Sequence, residues 1–360
     1  MTFTVLAAPA SFKGTFSPRR VADALAVGVR RVLPDATVLG CPVADGGDGL
    51  LDAVLQPGSL RERVRVTGPL GKPVAAELGW LDPETAILES AAACGLALLK
   101  PAERRPLITT SRGVGELIWE AGERGAKTVI VGLGGTSTVD GGVGAARGLG
   151  WTFRDAAGEP VAEGGGALVD LATMDQGWSP AARVIALADV TTQLVGSDGA
   201  APVFGPQKGA SPQDVDRLAA GLERLGRLFG EHGRPDLATL PAGGAAGGLG
   251  AGLVFFARAG LMPGAEWVLE RVGFDAALAK ADLVLTGEGI FDRTSLAGKA
   301  PGEVVRRAQA ARKKVVVIAG TVRDMVGLHL VDAGGRLLDA PGIAALAEQA
   351  TREAVGLPRP

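Results

Sequence analysis

Residues 128–142, TVIVGLGGTSTVDGG, constrain this chain more than any other stretch. Thr128-Val129-Ile130-Val131 is β-branched throughout and reads as a buried strand. It stops in a loop that carries five glycines, three hydroxyls and one carboxylate, Asp140. Glycine lets the backbone take φ > 0 and bring N–H groups close to a bulky anion, and short hydroxyls add donors without blocking the approach. Strand, loop and then helix is the order that a phosphate-holding loop requires. A tight turn with no ligand is the competing explanation, and the density of polar groups favours the ligand.

Other strand ends carry similar cargo. Phe3 to Ala8 is a short apolar strand, and Ala10-Ser11-Phe12-Lys13-Gly14-Thr15 follows it into a helix that Ser17 caps and Pro18 opens. Ser11 and Lys13 thus lie at a helix N-terminus, an ordinary position for an anion. A second strand over 37–43 ends in Ala44-Asp45-Gly46-Gly47-Asp48-Gly49. Two carboxylates flanking Gly-Gly at the carboxyl end of a strand suit a metal or a polyol about as well as a capped turn. A strand over 184–187 ends in Ala188-Asp189, with Phe204-Gly205-Pro206-Gln207-Lys208-Gly209-Ala210 beyond it. Another, over 281–285, is expected to break at Thr286-Gly287-Glu288-Gly289-Ile290-Phe291-Asp292, ahead of Lys299 and a helix over 301–312.

The segments between these loops set the architecture. Residues 64–67 and 75–80, parted by a Gly/Pro-rich turn, read as antiparallel strands and open a second domain. Thr110-Ser111 caps a helix running to about Arg124. Ser211-Pro212-Gln213-Asp214 opens another, with Val215, Leu218, Leu222, Leu225 and Phe229 on its core face. Residues 243–252 are mostly Gly and Ala and continue without charge, which favours a glycine-packed helix or a second ligand-hugging loop over a linker. At 360 residues two domains are expected. The fold class is α/β: a Rossmann-like doubly wound domain, discontinuous in sequence (1–62 and 281–360, with 105–135 also assignable to it), and an inserted second α/β domain (63–280). The active-site cleft is expected between them, with Asp140 facing the other acidic strand ends.

Composition removes several classes of function. The 37 basic residues nearly balance 39 acidic ones, and no long block of one sign occurs, so neither nucleic acid nor an acidic membrane is an expected partner. The N-terminus lacks a basic leader and no apolar stretch is long enough to span a bilayer, which points to a cytoplasmic protein. Cys41 and Cys94 lack the spacing of a zinc or disulfide framework and read as core residues. His232 and His329 are the only imidazoles and read as structural, so acid–base work falls to carboxylates or Lys.

Glycine, hydroxyl and carboxylate recur at four strand ends, with Lys13, Lys208 and Lys299 among them. Together they suggest one site for a polyanion and a metal. Phosphoryl transfer needs positioning, cations at the phosphates and a group that orients the attacking hydroxyl, and Asp with water suits magnesium. No Walker A sequence is present. The motifs Ser11-Phe12-Lys13-Gly14, Ala44-Asp45-Gly46-Gly47-Asp48-Gly49, 109–118, the 128–142 loop, 204–210 and Thr286-Gly287-Glu288-Gly289 with Gly298-Lys299 resemble the type I glycerate kinase family in order and spacing, from about residue 5 to residue 320.

The resemblance implies ATP-dependent phosphorylation of D-glycerate, generally at the 2-hydroxyl, on a Rossmann-like domain joined to a second α/β domain. ATP and Mg2+ are the implied cofactors, D-glycerate the small-molecule partner, and homodimerisation is left open. From their chemistry at strand ends, Asp189, Lys13 and Lys208 are the catalytic candidates, Asp189 as the group that takes the hydroxyl proton; a helix N-cap is its competing role. Ser11, Asp45, Asp48, Glu288 and Asp292 are expected to hold substrate. Gly134, Gly135, Thr136, Ser137 and Thr138 are expected to cradle the nucleotide phosphates, and Asp45 and Asp292 to hold the metal. The chain departs from the family pattern at Val139, Thr192, Gln193, Ile290 and Thr294. Thr192, Ile290 and Thr294 motivate the alternatives: a non-catalytic nucleotide or sugar-acid binder, or a kinase for a different small hydroxy acid.

Overall fold

The computed structural model describes residues 2–358 apart from Lys13, Gly14, Ala297, 324–326 and Leu337. It divides into two compact units, Met1–Val54 with Pro263–Pro360, and Leu55–Met262. In chain order the strands are β1 (Thr4–Pro9), β2 (Thr37–Gly40), β3 (Arg61–Thr67), β4 (Pro73–Asp82), β5 (Thr85–Glu89), β6 (Thr128–Gly132), β7 (Thr152–Arg154), β8 (Thr173–Asp175), β9 (Arg183–Leu187), β10 (Gly260–Met262), β11 (Leu283–Phe291), β12 (Lys314–Val322) and β13 (His329–Asp332).

The first unit is a five-stranded sheet in the order β13-β12-β11-β1-β2, parallel at every pairing. Helices cover both faces of such a sheet, so its strands read as continuous apolar runs: Leu283, Val284 and Leu285, and Val316 to Ala319, are all buried. From β1 the chain passes to β2 on one side and later to β11 on the other. The carboxyl ends of β1 and β11 therefore flank the topological switch point, where open α/β sheets bind ligands. The strand expected over 37–43 ends at Gly40, because Pro42 has no N–H to extend the ladder, yet the Cys41 and Val43 N–H groups still donate to Ala7 and Pro9. Conversely, β11 does not break at Thr286. It stays in register with β12 as far as Phe291, so Glu288 and Ile290 sit on a strand.

The second unit has a six-stranded sheet, β10-β9-β6-β5-β4-β3, in which β3, β4 and β5 pair antiparallel and β5, β6, β9 and β10 pair parallel. Residues 105–135 belong to this unit, since β6 lies in the middle of its sheet. The helices Gly264–Arg271 and Phe274–Lys280 fall instead in the first unit, and the divisions lie at 54/55 and 262/263 rather than at 62/63 and 280/281. A core of Val139, Leu218, Leu222, Leu225, Phe229 and Phe256 packs under helix Pro212–Glu231, whose N-terminus has the Ser211–Asp214 capping box. His232 ends that helix with Nδ1 2.9 Å from the Leu228 carbonyl, and His329 Nε2 lies 2.9 Å from Glu353 Oε2. Cys41 and Cys94 are buried thiols that burial pushes up to about 12. Among the described residues no helix is long and apolar enough to cross a membrane.

The glycine-rich 243–252 segment forms the start of helix Ala245–Phe256, interrupted where Ala246, Gly247 and Gly248 take left-handed backbone angles. That kink brings Gly247 against the loop after β6. A Cβ on Gly247 would lie 2.0 Å from the Thr138 carbonyl oxygen at a φ of +75°. Gly247→Ala is expected to cost at least about 2 kcal/mol in urea denaturation, from backbone strain plus displacement of the loop. Gly260→Ala, with nothing within 4 Å of the added atom, is expected to stay within about 0.5 kcal/mol of wild type.

Candidate active site

Parallel strands deliver their carboxyl ends to one edge. In the second unit that edge carries Ser90 after β5, the 133–142 loop after β6 and Asp189 after β9. The loop is held by its own unit. Leu133 N–H donates to Leu187 O (2.9 Å), Ser137 N–H and Oγ both donate to Cys94 O (2.8 and 2.9 Å), and Thr109 Oγ1 donates to Ser137 O (2.8 Å). Thr136, Ser137 and Thr138 are all buried. The Thr136 and Ser137 hydroxyls hold the loop from within, accepting from Lys208 Nζ and donating to Cys94 O, and the Thr138 hydroxyl is buried rather than on the open face. Gly134 and Gly135 are what the loop offers to solvent, with Gly135 in the left-handed region.

Asp140 explains the loop's far end. Its carboxylate is 1% exposed and does not face other strand ends as the sequence suggests. Oδ2 accepts from Ser111 N–H and Oγ (both 2.8 Å) and from Gly144 N–H (3.2 Å), while Oδ1 accepts from Gly142 N–H (3.2 Å). Burial pushes its pKa up, and the Ser111 and Gly142 donors oppose that shift. Ser111 therefore does not cap its own helix, Arg112–Glu123, through its side chain; its Oγ donates to Asp140 and accepts from Ala145 N–H (3.0 Å). One carboxylate thus ties two helix starts to the loop.

Lys208 lies beneath the same loop. The short turn Pro206–Lys208, opened by proline and closed by left-handed Gly209, turns the side chain inward. Its Nζ donates to Thr138 O (2.7 Å) and Thr136 Oγ1 (3.1 Å) and stands 5.7 Å from the Phe204 ring centre. With 3% exposure, burial lowers its pKa to about 8, a shift that the nearby Asp140 carboxylate opposes. Asp189 is half-buried in the loop after β9. The next helix is Ala200–Phe204, with Gly199 at its N-cap, so Asp189 is not a helix cap.

In the first unit Ser11 and Glu288 are buried beside the switch point. Asp45 Oδ1 accepts from Gly47 N–H (3.2 Å) and Asp48 is exposed. Asp292 Oδ1 accepts from Thr294 Oγ1 (2.6 Å), Thr294 N–H (2.8 Å) and Ser295 N–H (3.3 Å). The Thr294 hydroxyl foremost holds its carboxyl below the usual range. Lys299 Nζ donates to Thr294 Oγ1 (3.0 Å), and Lys13 lies outside the described residues. A pocket of about 500 Å³ opens here, lined among others by Glu288, Ile290, Asp292, Lys299, Arg323 and Arg336. Sequence reasoning missed the two arginines. Their signal was position alone, since they follow β12 and β13 at the same carboxyl edge.

Among the described residues no group of three or more His, Cys, Asp or Glu is placed to hold a metal ion. Asp45 and Asp292 each have an oxygen engaged by local donors. They fit magnesium of the kind that keeps its waters and takes phosphate oxygens along with one or two carboxylates, not an all-protein cage.

Two parallel edges, one with a glycine loop over a buried lysine and one with carboxylates at a switch point, define an α/β enzyme of the kinase type. The model of the glycerate kinase family matches residues 5–348. The chain belongs to the glycerate kinase family. It is 41% identical over 347 residues to "Glycerate 2-kinase" of Escherichia coli K12, covering 94% of this chain and 91% of that protein. It is 38% identical over 354 residues to "Glycerate kinase" of Halalkalibacterium halodurans, covering 96% and 93%. The crystal structure of a candidate glycerate kinase 2 from Salmonella typhimurium LT2 superposes with a TM-score of 0.82 at 39% identity, over 99% of this chain and 97% of that one.

Two outcomes follow from the buried charges. Asp140→Ala strands several buried donors at about 1–3 kcal/mol each, not additively, so urea unfolding is expected to show a loss of about 3 kcal/mol, and less for Asp140→Asn. For Lys208, a folded pKa of about 8 against an ordinary 10.5 means that the unfolded chain holds more protons between those values. Its contribution to stability therefore rises with pH across that window, and Lys208→Met is expected to remove that part of the slope in unfolding measured from pH 7 to above 10.

Proposed function

We propose that this chain transfers the γ-phosphoryl group of ATP to the 2-hydroxyl of D-glycerate, giving 2-phosphoglycerate, with magnesium at the phosphates. The observation that carries this reading is the sharing of one parallel sheet edge by the Gly134–Gly135 turn, braced by buried Lys208, and the half-buried carboxylate of Asp189. Full-length similarity to the Escherichia coli protein named "Glycerate 2-kinase" supports the choice of substrate.

In this mechanism the N–H groups of the Gly134–Gly135 turn meet nucleotide phosphates, and Thr136, Ser137 and Thr138 keep the turn's shape. Lys208 adds positive charge from below. Asp189 accepts the proton of the 2-hydroxyl as that oxygen attacks the γ-phosphorus in line; the bond from phosphorus to the β–γ bridging oxygen breaks and ADP departs. Asp45, Asp48 and Glu288 accept hydrogen bonds from substrate hydroxyls, the Ser11 hydroxyl donates or accepts, and Lys13 neutralises charge. Asp45 and Asp292 would hold the magnesium, which when bound would supply neutralisation of the transferring group.

Incubation with D-glycerate, ATP and magnesium, with the product identified by NMR, tests this directly. A phosphate on C2 is expected; a phosphate on C3 would overturn the regiochemistry, and turnover confined to another hydroxy acid would overturn the substrate. Ligand-induced melting shifts without any turnover would favour a binding protein. Asp189→Asn is expected to lower kcat by about 10²–10⁴-fold, and full turnover with an unchanged pH profile would remove Asp189 as the base.

A further inference from the structure

Three cations line the first unit's pocket, Lys299, Arg323 and Arg336, and none forms an ion pair with a carboxylate among the described residues. Lys299 donates to the Thr294 hydroxyl and its charge acts on nearby Asp292 without a direct ion pair among the described residues. Arg336 uses Nε on the Ala333 carbonyl (3.0 Å), which leaves the far end of its guanidinium unengaged among the described residues. The Arg323 side chain makes no hydrogen bond there either; its backbone N–H, donating to Phe291 O (3.0 Å), anchors it beside the end of β11. Some other guanidinium groups of the unit do pair with carboxylates: Arg307 with Glu303 and Asp275, Arg306 with Glu303, and Arg352 with Glu348. Three cations against the two carboxylates of Glu288 and Asp292 leave this concave wall with an excess of positive charge, an attraction for an anion.

The register fixes which face they share. Ile290 pairs with Thr321 and Phe291 with Val322. Side chains alternate between faces, so Thr321 and Arg323 lie on the side of the sheet that carries Ile290 and Asp292. Arg336 reaches the pocket from beyond a Gly334-Gly335 turn that is pinned by Gly335 N–H to Gly320 O (3.0 Å). The remaining wall offers Glu288 and Asp292, which accept hydrogen bonds, and the apolar Phe12, Ile290 and Leu338.

We infer that Arg323 and Arg336 are the acid-recognising residues of this enzyme, holding the carboxylate of a small hydroxy acid in the first unit's pocket while Glu288 accepts from a hydroxyl of that acid. The inference rests on the proposed function for the choice of acid. Guanidinium groups suit a carboxylate because paired N–H donors match its two oxygens. The pocket, at about 500 Å³, falls within the usual range for small-molecule sites.

Arg323→Gln, Arg336→Gln and the double variant test it in the full-length chain. Both residues are exposed, so melting temperatures should hold. Each single change is expected to raise KM for D-glycerate by about tenfold, with kcat within about threefold and KM for ATP unchanged; Arg323→Lys should recover part of the loss. An unchanged KM for D-glycerate, or a rise confined to ATP, which would mark a phosphate pocket, overturns the inference. D-glycerate-induced melting shifts separate it from the kinase reading. Shifts lost in the arginine variants with no turnover in the wild type would uphold the inference and sink the kinase; a shift equal in wild type and variants, or absent from both, would overturn the inference.

Discussion

The second unit depends on a buried carboxylate. Asp140 gives up water and recovers four hydrogen bonds, from Ser111 twice, Gly142 and Gly144. Those bonds join the start of helix Arg112–Glu123, the start of helix Val143–Gly148 and the loop that leaves β6. An ionised group without such partners would be strongly disfavoured in this interior. The loop's far end therefore has one low-energy arrangement, and its near end inherits that rigidity through Ser137 and Cys94. A phosphate-binding turn benefits from this, because donors already aimed at an anion pay little ordering entropy when it arrives.

Lys208 is the counterpart of Asp140 on the other side of the loop. Its two oxygen partners both belong to residues 136–138, so its charge is spent on the loop's inner surface and felt at the outer one. This favours a positioning role over direct contact with substrate. The first unit works differently: its acidic and basic side chains stand near the surface, at the ends of parallel strands, and local turns such as Asp292 with Thr294 and Ser295 set their orientation. A rigid interior loop and a polar pocket rim are the two kinds of surface that phosphoryl transfer to a small polar acceptor calls for.

Most elements were legible locally. The apolar run ending at Gly132, the Ser211-Pro212 cap, the antiparallel pair around the 68–73 turn and the glycine-packed helix near 245 all declared themselves through period, caps and turn residues. The continuation of β11 through Thr286 to Phe291 did not, because its glycines suggested a loop, whereas pairing with β12 supplies the hydrogen bonds that keep it extended. Arg323 and Arg336 were also illegible. They follow ordinary strands in a segment without a motif, and only the sheet order brings them to Glu288 and Lys299.

By itself the sequence determined the α/β class, the strand-end character of the polar motifs and the family, since propensity, periodicity and motif order are carried by neighbours along the chain. Tertiary structure alone decided which of those polar groups are buried and which stay open to solvent. Thr136, Ser137, Thr138, Asp140 and Lys208 look alike, in a one-dimensional text, to residues that line a site, yet all five are buried, and the side chains of Thr136, Ser137, Asp140 and Lys208 hold the loop. Burial and hydrogen-bond partners arise from packing between segments distant in sequence. The 128–142 stretch named the place, and Ser111, Cys94 and Lys208, reaching it from elsewhere in the chain, hold it so that Gly134 and Gly135 are the part left open to solvent.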